Sequence, residues 1–229
     1  ETREELASAF EELDLDENVN VSILTGSPGK AFIAGADIKE FSKMKIKDRK
    51  AMKEDWRVTD VISNSKKPVI AMINGFCLGG GLEIAMACDL RTASDNSKLG
   101  QPEINIGIIP GAGGTQRLTK LVGEGRSMEL ILTGNMISAT KAESWGLVNL
   151  VTDEKQLEEK TMEIATLIAQ KSPFAVERAK KSVKLASNTN LKKGLKKEQE
   201  LFVECFKSND GKEGIAAFIE KRKPEFKGN

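Results

Sequence analysis

Two glutamates stand twenty positions apart, and each closes a short glycine-containing turn. Glu83 ends Gly-Gly-Gly-Leu-Glu, which begins at Gly79, and Glu103 ends Gly-Gln-Pro-Glu. Backbone amides in such turns can approach a ligand closely, because glycine places no side chain in the way. Two carboxylates beside such amides predict general acid–base chemistry on a substrate whose developing negative charge the amides stabilise.

The chain contains no histidine, so acid–base chemistry near neutral pH must come from carboxylates, lysines, cysteines or water. Its three cysteines, Cys77, Cys88 and Cys205, are scattered, and their spacing fits neither a disulfide framework nor a metal site. We therefore expect no protein-bound transition metal and a reducing, cytoplasmic environment.

Composition narrows the function classes further. The 229 residues include 35 basic and 34 acidic side chains, so no overall field favours nucleic acid or an anionic membrane. The longest apolar stretches are too short to span a bilayer. The N-terminus lacks a basic segment followed by an apolar run, which predicts no signal peptide.

Strand and helix patterns alternate along the first two thirds of the chain and become purely helical afterwards. The patterns predict helices at 6–13, 56–62, 82–88 and 138–145, and strands at 19–24, 69–73, 90–93 and 147–151. We therefore expect an α/β core over residues 1–152 and a helical region over residues 153–229.

The helical region carries more apolar stripes than an appendage could bury by itself. Its stripes include Leu157, Ile164, Leu167, Val176, Val183, Phe202, Ile215 and Phe218. Some of these side chains should pack on the core and the others on a neighbouring subunit, because large exposed apolar patches are unusual in monomers.

Five linked segments carry a resemblance to a known family. They are Phe-Ile-Ala-Gly-Ala-Asp-Ile-Lys at 32–39, Asn-Gly-Phe-Cys-Leu-Gly-Gly-Gly-Leu-Glu at 74–83, Gly-Gln-Pro-Glu at 100–103, Ile-Pro-Gly-Ala-Gly-Gly-Thr-Gln-Arg at 109–117 and Ala-Phe-Ile-Glu-Lys-Arg-Lys at 217–223. Together they resemble the crotonase (enoyl-CoA hydratase/isomerase) superfamily, and most closely its hydratases. Family members usually begin with an additional strand–turn–strand segment, which this sequence lacks.

The resemblance implies a spiral of repeated ββα units with a C-terminal helical region that builds trimers, often paired as hexamers. It implies an acyl-coenzyme A substrate and no separate cofactor, since coenzyme A is part of the substrate. A cytoplasmic location is expected, or the mitochondrial matrix in a eukaryote.

The resemblance also assigns roles within the site. The backbone N–H groups of Ala34 and Gly80 match the oxyanion hole, and Glu83 and Glu103 match the paired catalytic glutamates. These glutamates would share one water near the amide of Gly111. The implied reaction is reversible syn hydration of 2-enoyl-CoA to 3-hydroxyacyl-CoA, and the sequence does not say which glutamate is the acid.

Further positions match coenzyme contacts of the family. They are Ala34, Gly35, Ala36, Asp37, Ile38, Phe202, Phe218 and Lys221. Simpler roles stay open for some of them: Asp37 can cap the helix that follows, the two phenylalanines can be core residues, and Lys221 can be solvated.

Two other functions compete with hydration. The first is an enoyl-CoA isomerase or another acyl-CoA lyase of the same superfamily, against which the presence of both glutamates argues. The second is an RNA-binding homologue that uses the lysines at 180–181 and 192–197. The net charge of +1 and the adjacent Glu198 and Glu200 favour a solvated helix face at those lysines instead.

Overall fold

The computed structural model describes residues 2–35 and 53–229. The helices are α1 (Thr2–Leu15), α2 (Lys53–Asn64), α3 (Gly80–Ala87), α4 (Gly114–Val122), α5 (Glu124–Thr133), α6 (Ala139–Ser144), α7 (Leu157–Ala169), α8 (Pro173–Ala186), α9 (Leu191–Lys207) and α10 (Asn209–Glu220), with short 3-10 helices at Pro102–Ile106 and Glu154–Gln156. The strands are β1 (Ser22–Thr25), β2 (Ala31–Ile33), β3 (Val69–Ile73), β4 (Phe76–Leu78), β5 (Leu90–Ser94), β6 (Lys98–Gly100), β7 (Met136–Ser138) and β8 (Leu150–Thr152).

The first six strands alternate between two four-stranded sheets, and β7 and β8 then extend the second and the first sheet. One sheet has the order β1-β3-β5-β8 and the other has the order β2-β4-β6-β7. All neighbouring strands pair in parallel except β6 and β7, which are antiparallel. Each of the first three pairs of strands therefore adds one strand to each sheet before a helix follows, whereas α6 separates β7 from β8. This arrangement confirms the predicted α/β spiral of ββα units.

The centre of the first sheet is buried on both faces, as the continuous apolar run of β3 predicts. Val69, Ile70, Ala71 and Ile73 have no exposed surface. On the N-terminal side of the core, α1 buries Phe10 and packs against α2. The predicted cap of α6 is also present, since the hydroxyl of Ser138 accepts a hydrogen bond from the Lys141 amide at 3.2 Å.

The last predicted strand of the core begins later than the sequence pattern suggests. The pattern favoured residues 147–151, whereas β8 covers Leu150–Thr152. The amides of Leu147 and Val148 both donate to the carbonyl oxygen of Ala142, at 2.9 and 3.3 Å. Since these amides close the end of α6, they are not available to a strand ladder, and the two side chains point into the core instead.

Helix α7 opens the C-terminal region and packs on β3, β5 and β8. The buried hydroxyls of Thr92 and Thr161 lie 2.7 Å apart across this contact. Helix α8 is fixed to the core by Asp89, whose carboxylate lies 2.7 Å from the amine of Lys180 and 3.1 Å from that of Lys184. The first two helices after residue 152 are therefore anchored to the core of the same chain.

Within the described ranges, no helix is both long enough and apolar enough to cross a membrane.

Candidate active site

The triple glycine places α3 directly against β2. Gly79 precedes the helix with a left-handed φ of 53°. A Cβ built on Gly81 would lie 2.1 Å from the carbonyl oxygen of Ile33, so only glycine fits there. Since Ala34 follows Ile33 directly, this close contact brings the chain at Ala34 beside the N-terminus of α3.

The two predicted oxyanion-hole residues therefore lie on neighbouring segments. As the first residue of α3, Gly80 has an N–H group without a partner inside the helix, and the helix dipole favours negative charge at that end. A Cβ built on Gly80 meets no atom of the described residues within 4 Å. A Cβ on Gly35 would lie 3.5 Å from the carbonyl oxygen of Leu78, which is a second contact between the same segments.

Glu83 is buried one turn into α3, with only 3% of its surface exposed. Its Oε1 atom accepts hydrogen bonds from the amides of Ala112 and Gly114, both at 2.7 Å. Burial raises the pKa of this carboxyl, while the two amides and the positive charge of Arg117 act in the opposite direction. The third glycine turn thus stabilises the ionised form of a carboxylate that the fold has removed from water.

Glu103 lies on the 3-10 helix that follows β6, and its carboxyl covers the first turn of α3. A Cβ on Gly79 would lie 3.0 Å from Oε1 of Glu103. Burial raises the pKa of Glu103 to about 7; its own backbone amide opposes this rise, and the negative charge of Glu83 makes a smaller contribution to it.

Gln101 binds Glu103, and the sequence patterns gave it no role. It is fully buried, and its amide nitrogen, oriented by the hydrogen bonds it can make, donates to both carboxylate oxygens of Glu103 at 2.8 and 3.0 Å. The other terminal atom of the Gln101 amide lies 2.9 Å from the position that a Cβ on Gly114 would occupy. Oε1 of Glu83 lies at the same distance from that position. The signal that could have identified Gln101 is its place in the motif that carries Glu103, because a buried amide needs hydrogen-bond partners.

The remaining predicted residues of the core are described only in part. Gly111 lies in the turn before α4, beside the amides that hold Glu83, and its role near a water stays a prediction. Ala36, Asp37 and Ile38 lie outside the described residues. In the described part of the chain, no group of three or more potential metal ligands occurs.

The three C-terminal coenzyme candidates lie on surfaces rather than in the core. Phe202, on α9, is 64% exposed and stacks on Phe206 with ring centroids 6.1 Å apart. Phe218, on α10, is 85% exposed, and Lys221 ends that helix in a left-handed conformation. The expectation that the two phenylalanines could be core residues is therefore wrong for a single chain. No hydrogen bond or ring contact within residues 2–35 and 53–229 joins these three residues to the glutamates.

The candidate RNA-binding lysines are partly engaged elsewhere. Lys180 is almost completely buried and pairs with Asp89, and Lys197 pairs with Glu200 at 2.8 Å. Lys192, Lys193 and Lys196 are exposed. The prediction of a solvated helix face fits these three exposed lysines, whereas Lys180 contributes to the packing of α8.

The family model, the related sequences and the solved structures that resemble this chain all point to one family. The family model described as enoyl-CoA hydratase/isomerase matches residues 1–229. The chain is 45% identical to the mitochondrial enoyl-CoA hydratase of Pongo abelii, over 98% of this chain and 77% of that protein. It is 44% identical to the short-chain-enoyl-CoA hydratase of Clostridium acetobutylicum, over 98% of this chain and 87% of that protein. The crystal structure of an enoyl-CoA hydratase from Bacillus anthracis superposes with a TM-score of 0.95 at 43% identity, covering 99% of this chain and 88% of that one.

Proposed function

Because this chain belongs to the enoyl-CoA hydratase/isomerase family, we propose that it catalyses the reversible syn hydration of 2-enoyl-CoA thioesters to 3-hydroxyacyl-CoA. The observation that carries the proposal is the pair of carboxyls beside the N-terminus of α3, with Glu83 buried and Glu103 partly buried. An acid and a base are both required, and the two carboxyls have different partners: two backbone amides for Glu83 and the side-chain amide of Gln101 for Glu103.

The backbone amides of Ala34 and Gly80 would bind the thioester carbonyl oxygen. When water adds to the β-carbon, the electron pair of the double bond moves toward that oxygen, and the thioester becomes enolate-like. Two fixed donors stabilise this charge, and the loss of one comparable donor costs about 3–4 kcal/mol of transition-state stabilisation.

The surroundings of the carboxyls suggest how the proton work is divided. Glu83 accepts two short amide hydrogen bonds, which favour its ionised form and suit it to accept a proton from the attacking water. Glu103, with a pKa of about 7, carries a proton in a large fraction of molecules near neutral pH and is suited to protonate the α-carbon. The proton that Glu83 gains equals the one that Glu103 loses, so solvent exchange restores the pair, and the reverse steps dehydrate the product.

The coenzyme part of the substrate would bind along residues 34–38 and the C-terminal helices. Phe218 lines an apolar groove of about 470 Å³ together with Ile215, Ile219 and Phe226. Exposed aromatic rings and the exposed amine of Lys221 suit an adenine and its phosphates. The substrate itself brings coenzyme A, and no separate cofactor is proposed.

We also propose that the protein works as a closed trimer, with a dimer of trimers as a further step. One apolar patch lies on α9 and α10 and consists of Leu195, Phe202, Phe206, Ile215, Phe218 and Ile219. A second patch surrounds the 3-10 helix and α5 and consists of Ile106, Ile108, Ile109, Met128, Leu132 and Met136. A rotational trimer requires two different complementary surfaces on each chain, whereas a twofold dimer requires one.

A ladder of 2-enoyl-CoA and 3-enoyl-CoA thioesters tests the proposed reaction, in the presence of excess EDTA. We expect 2-enoyl substrates to gain the mass of one water at rates far above those of 3-enoyl isomerisation. Chelation should not lower the rate. Faster isomerisation than hydration would move the protein to the isomerases, and a rate that needs an added divalent ion would contradict the carboxylate mechanism.

A further inference from the structure

The position of Glu83 depends on the turn that supplies its two amide donors. This turn, residues 110–114, precedes α4 and includes Gly113, whose φ of 101° is left-handed. Neither Ala112 nor Gly114 can hold the carboxylate unless the turn keeps its shape, because both 2.7 Å bonds come from its backbone.

Arg117 folds back over this turn from the first turn of α4. Its amide donates to the carbonyl oxygen of Gly113 at 2.8 Å. A Cβ built on Gly113 would lie 3.2 Å from Nη1 and 3.5 Å from Cζ of the same arginine, so the guanidinium lies against the bare glycine. Only 22% of the arginine side chain is exposed. The guanidinium and the glycine therefore form one packed unit.

The other end of the guanidinium contacts α2. Nη2 of Arg117 lies 3.5 Å from the carbonyl oxygen of Thr59 and 3.6 Å from Oδ1 of Asp60. Thr59 itself is almost fully buried. One side chain thus connects the turn that holds Glu83 to the helix that follows the predicted coenzyme-binding segment.

The same guanidinium supplies positive charge near the buried carboxylate. Burial raises the pKa of Glu83, and the positive charges of Arg117 and, to a smaller extent, Arg3 on α1 oppose that rise together with the two backbone amides. The charged group that faces Arg117 itself is Asp60, which is largely exposed and therefore screens only part of its charge.

We propose that Arg117 is a positioning residue for the hydration reaction, which holds the 110–114 turn against α2 and so keeps the Glu83 carboxyl in place. This inference rests on the proposed function. Arg117 does not touch the reacting atoms in this account, and its effect reaches the substrate through Glu83. Lysine can replace its charge but not its planar contact with Gly113 and the two acceptors on α2.

The test compares Arg117→Met, Arg117→Lys and the matched surface control Arg126→Met, with crotonyl-CoA as substrate. Arg126 is exposed on α5, where it lies over the Trp145 ring. We expect Arg117→Met to lower kcat on the order of 10- to 100-fold with little change in KM, because misplacement of a catalytic group acts mainly on the transition state. The lysine variant should retain more activity, and the Arg126 control should match the parent.

A second readout does not need turnover. Carboxyl NMR on protein with labelled glutamate, assigned with Glu83→Gln, follows the titration of Glu83 directly. We expect Arg117→Met to raise the pKa of Glu83 and Arg117→Lys to leave it near the parent value. If Arg117→Met does not fold by circular dichroism, Arg117→Gln replaces it under the same criteria.

The outcomes separate the two proposals. An unchanged Glu83 titration in the neutral variant, or parent-like kcat, overturns the positioning role. Equal losses in the methionine and lysine variants without a change in titration also overturn it, since they would indicate a packing role alone. If the parent protein does not hydrate crotonyl-CoA at all, the proposed function fails, while the NMR titration still decides the contact between Arg117 and Glu83.

Discussion

The catalytic core and the C-terminal helices differ in how far one chain satisfies its own groups. Around the glutamates, each carboxyl has specific partners: two amides hold Glu83, and Gln101 binds Glu103. On α9 and α10, large apolar side chains remain in solvent, with Phe218 at 85% and Ile219 at 73% exposure. The carboxyls of the candidate site thus find their partners within one chain, whereas the large apolar side chains of α9 and α10 stay exposed in one chain.

This difference predicts which property a substitution should change in each region. In the core, a small change in geometry should affect turnover while the chain still folds. In the C-terminal helices, a change in polarity should affect association, because those side chains contribute little to the packing of a single chain. Helix α8 should behave like the core, because it is fixed to the core through Asp89.

The largest effect is expected from the carboxyls themselves. Glu83→Gln and Glu103→Gln keep size and shape but remove the ability to exchange a proton. Each should lower kcat for crotonyl-CoA by roughly 10²–10⁴-fold, while binding of the thioester, measured by calorimetry, survives. Glu124→Gln, on the exposed start of α5, is the matched control. Turnover close to that of the control in either variant would remove that glutamate from the mechanism.

A smaller effect should follow from a single methyl group in the third glycine turn. A Cβ on Gly114 would lie 2.6 Å from Cβ of Pro110 and 2.9 Å from Oε1 of Glu83, so Gly114→Ala must displace the carboxylate or the turn. We expect kcat to fall on the order of 10- to 100-fold, as measured by steady-state kinetics. Gly125→Ala, where a Cβ meets no atom of residues 2–35 and 53–229 within 4 Å, should behave like the parent. Parent-like kinetics for Gly114→Ala would mean that the turn does not position Glu83.

On the C-terminal side, a charge on the apolar patch should weaken association. Phe202→Glu and Ile219→Glu place a carboxylate on exposed apolar positions that we assign to a subunit interface. Sedimentation over a dilution series should show dissociation at a concentration at least tenfold higher than for the parent, a change of about 1.4 kcal/mol. Leu15→Glu, an equally exposed leucine on α1, should have no such effect. A parent protein that stays monomeric and active would contradict the trimer.

The smallest effect concerns stability and pH. Since the folded-state pKa of Glu103 is raised from 4.5 to about 7, the folded chain binds its proton more tightly than the unfolded chain. Its contribution to stability is therefore lost as pH rises from 4.5 to about 7. Glu103→Gln avoids this loss and should be more stable than the parent above pH 7 by on the order of 1 kcal/mol, after allowance for solvent screening. Urea unfolding at both ends of this range measures the difference, which should vanish at low pH. A variant that is less stable at high pH would contradict the raised pKa.

The sequence predicted the parts of this molecule that have length or linked motifs. The five-residue apolar run of β3 and the stripe of α1 were sufficient for assignment, and the Ser138 cap was found at its predicted position. The strands β4, β6 and β7 contain three residues each, which is too short for an alternating pattern to be recognised. Their existence depends on pairing between distant segments.

In the candidate site, too, some features were predicted from the sequence and others were not. The glycine turns marked both glutamates, and the linked motifs suggested the oxyanion-hole positions. The partners that tune the carboxyls were not predicted, because Gln101 and Arg117 reach them only through three-dimensional contacts. The exposure of Phe202 and Phe218 was also not readable from the chain, since an apolar stripe has the same pattern whether it faces the core or another subunit.

The most direct test of the central claim follows the oxygen atom during turnover. Crotonyl-CoA is incubated with the parent protein in heavy-oxygen water that contains EDTA, and the products are analysed by mass spectrometry and chiral chromatography. We predict one heavy oxygen on the β-carbon of a single 3-hydroxybutyryl-CoA enantiomer, formed with the parent and reduced to a small fraction in Glu83→Gln and Glu103→Gln. Recovery of unlabelled thioester alone, or equal label with the parent and both variants, would contradict hydration by this pair of glutamates.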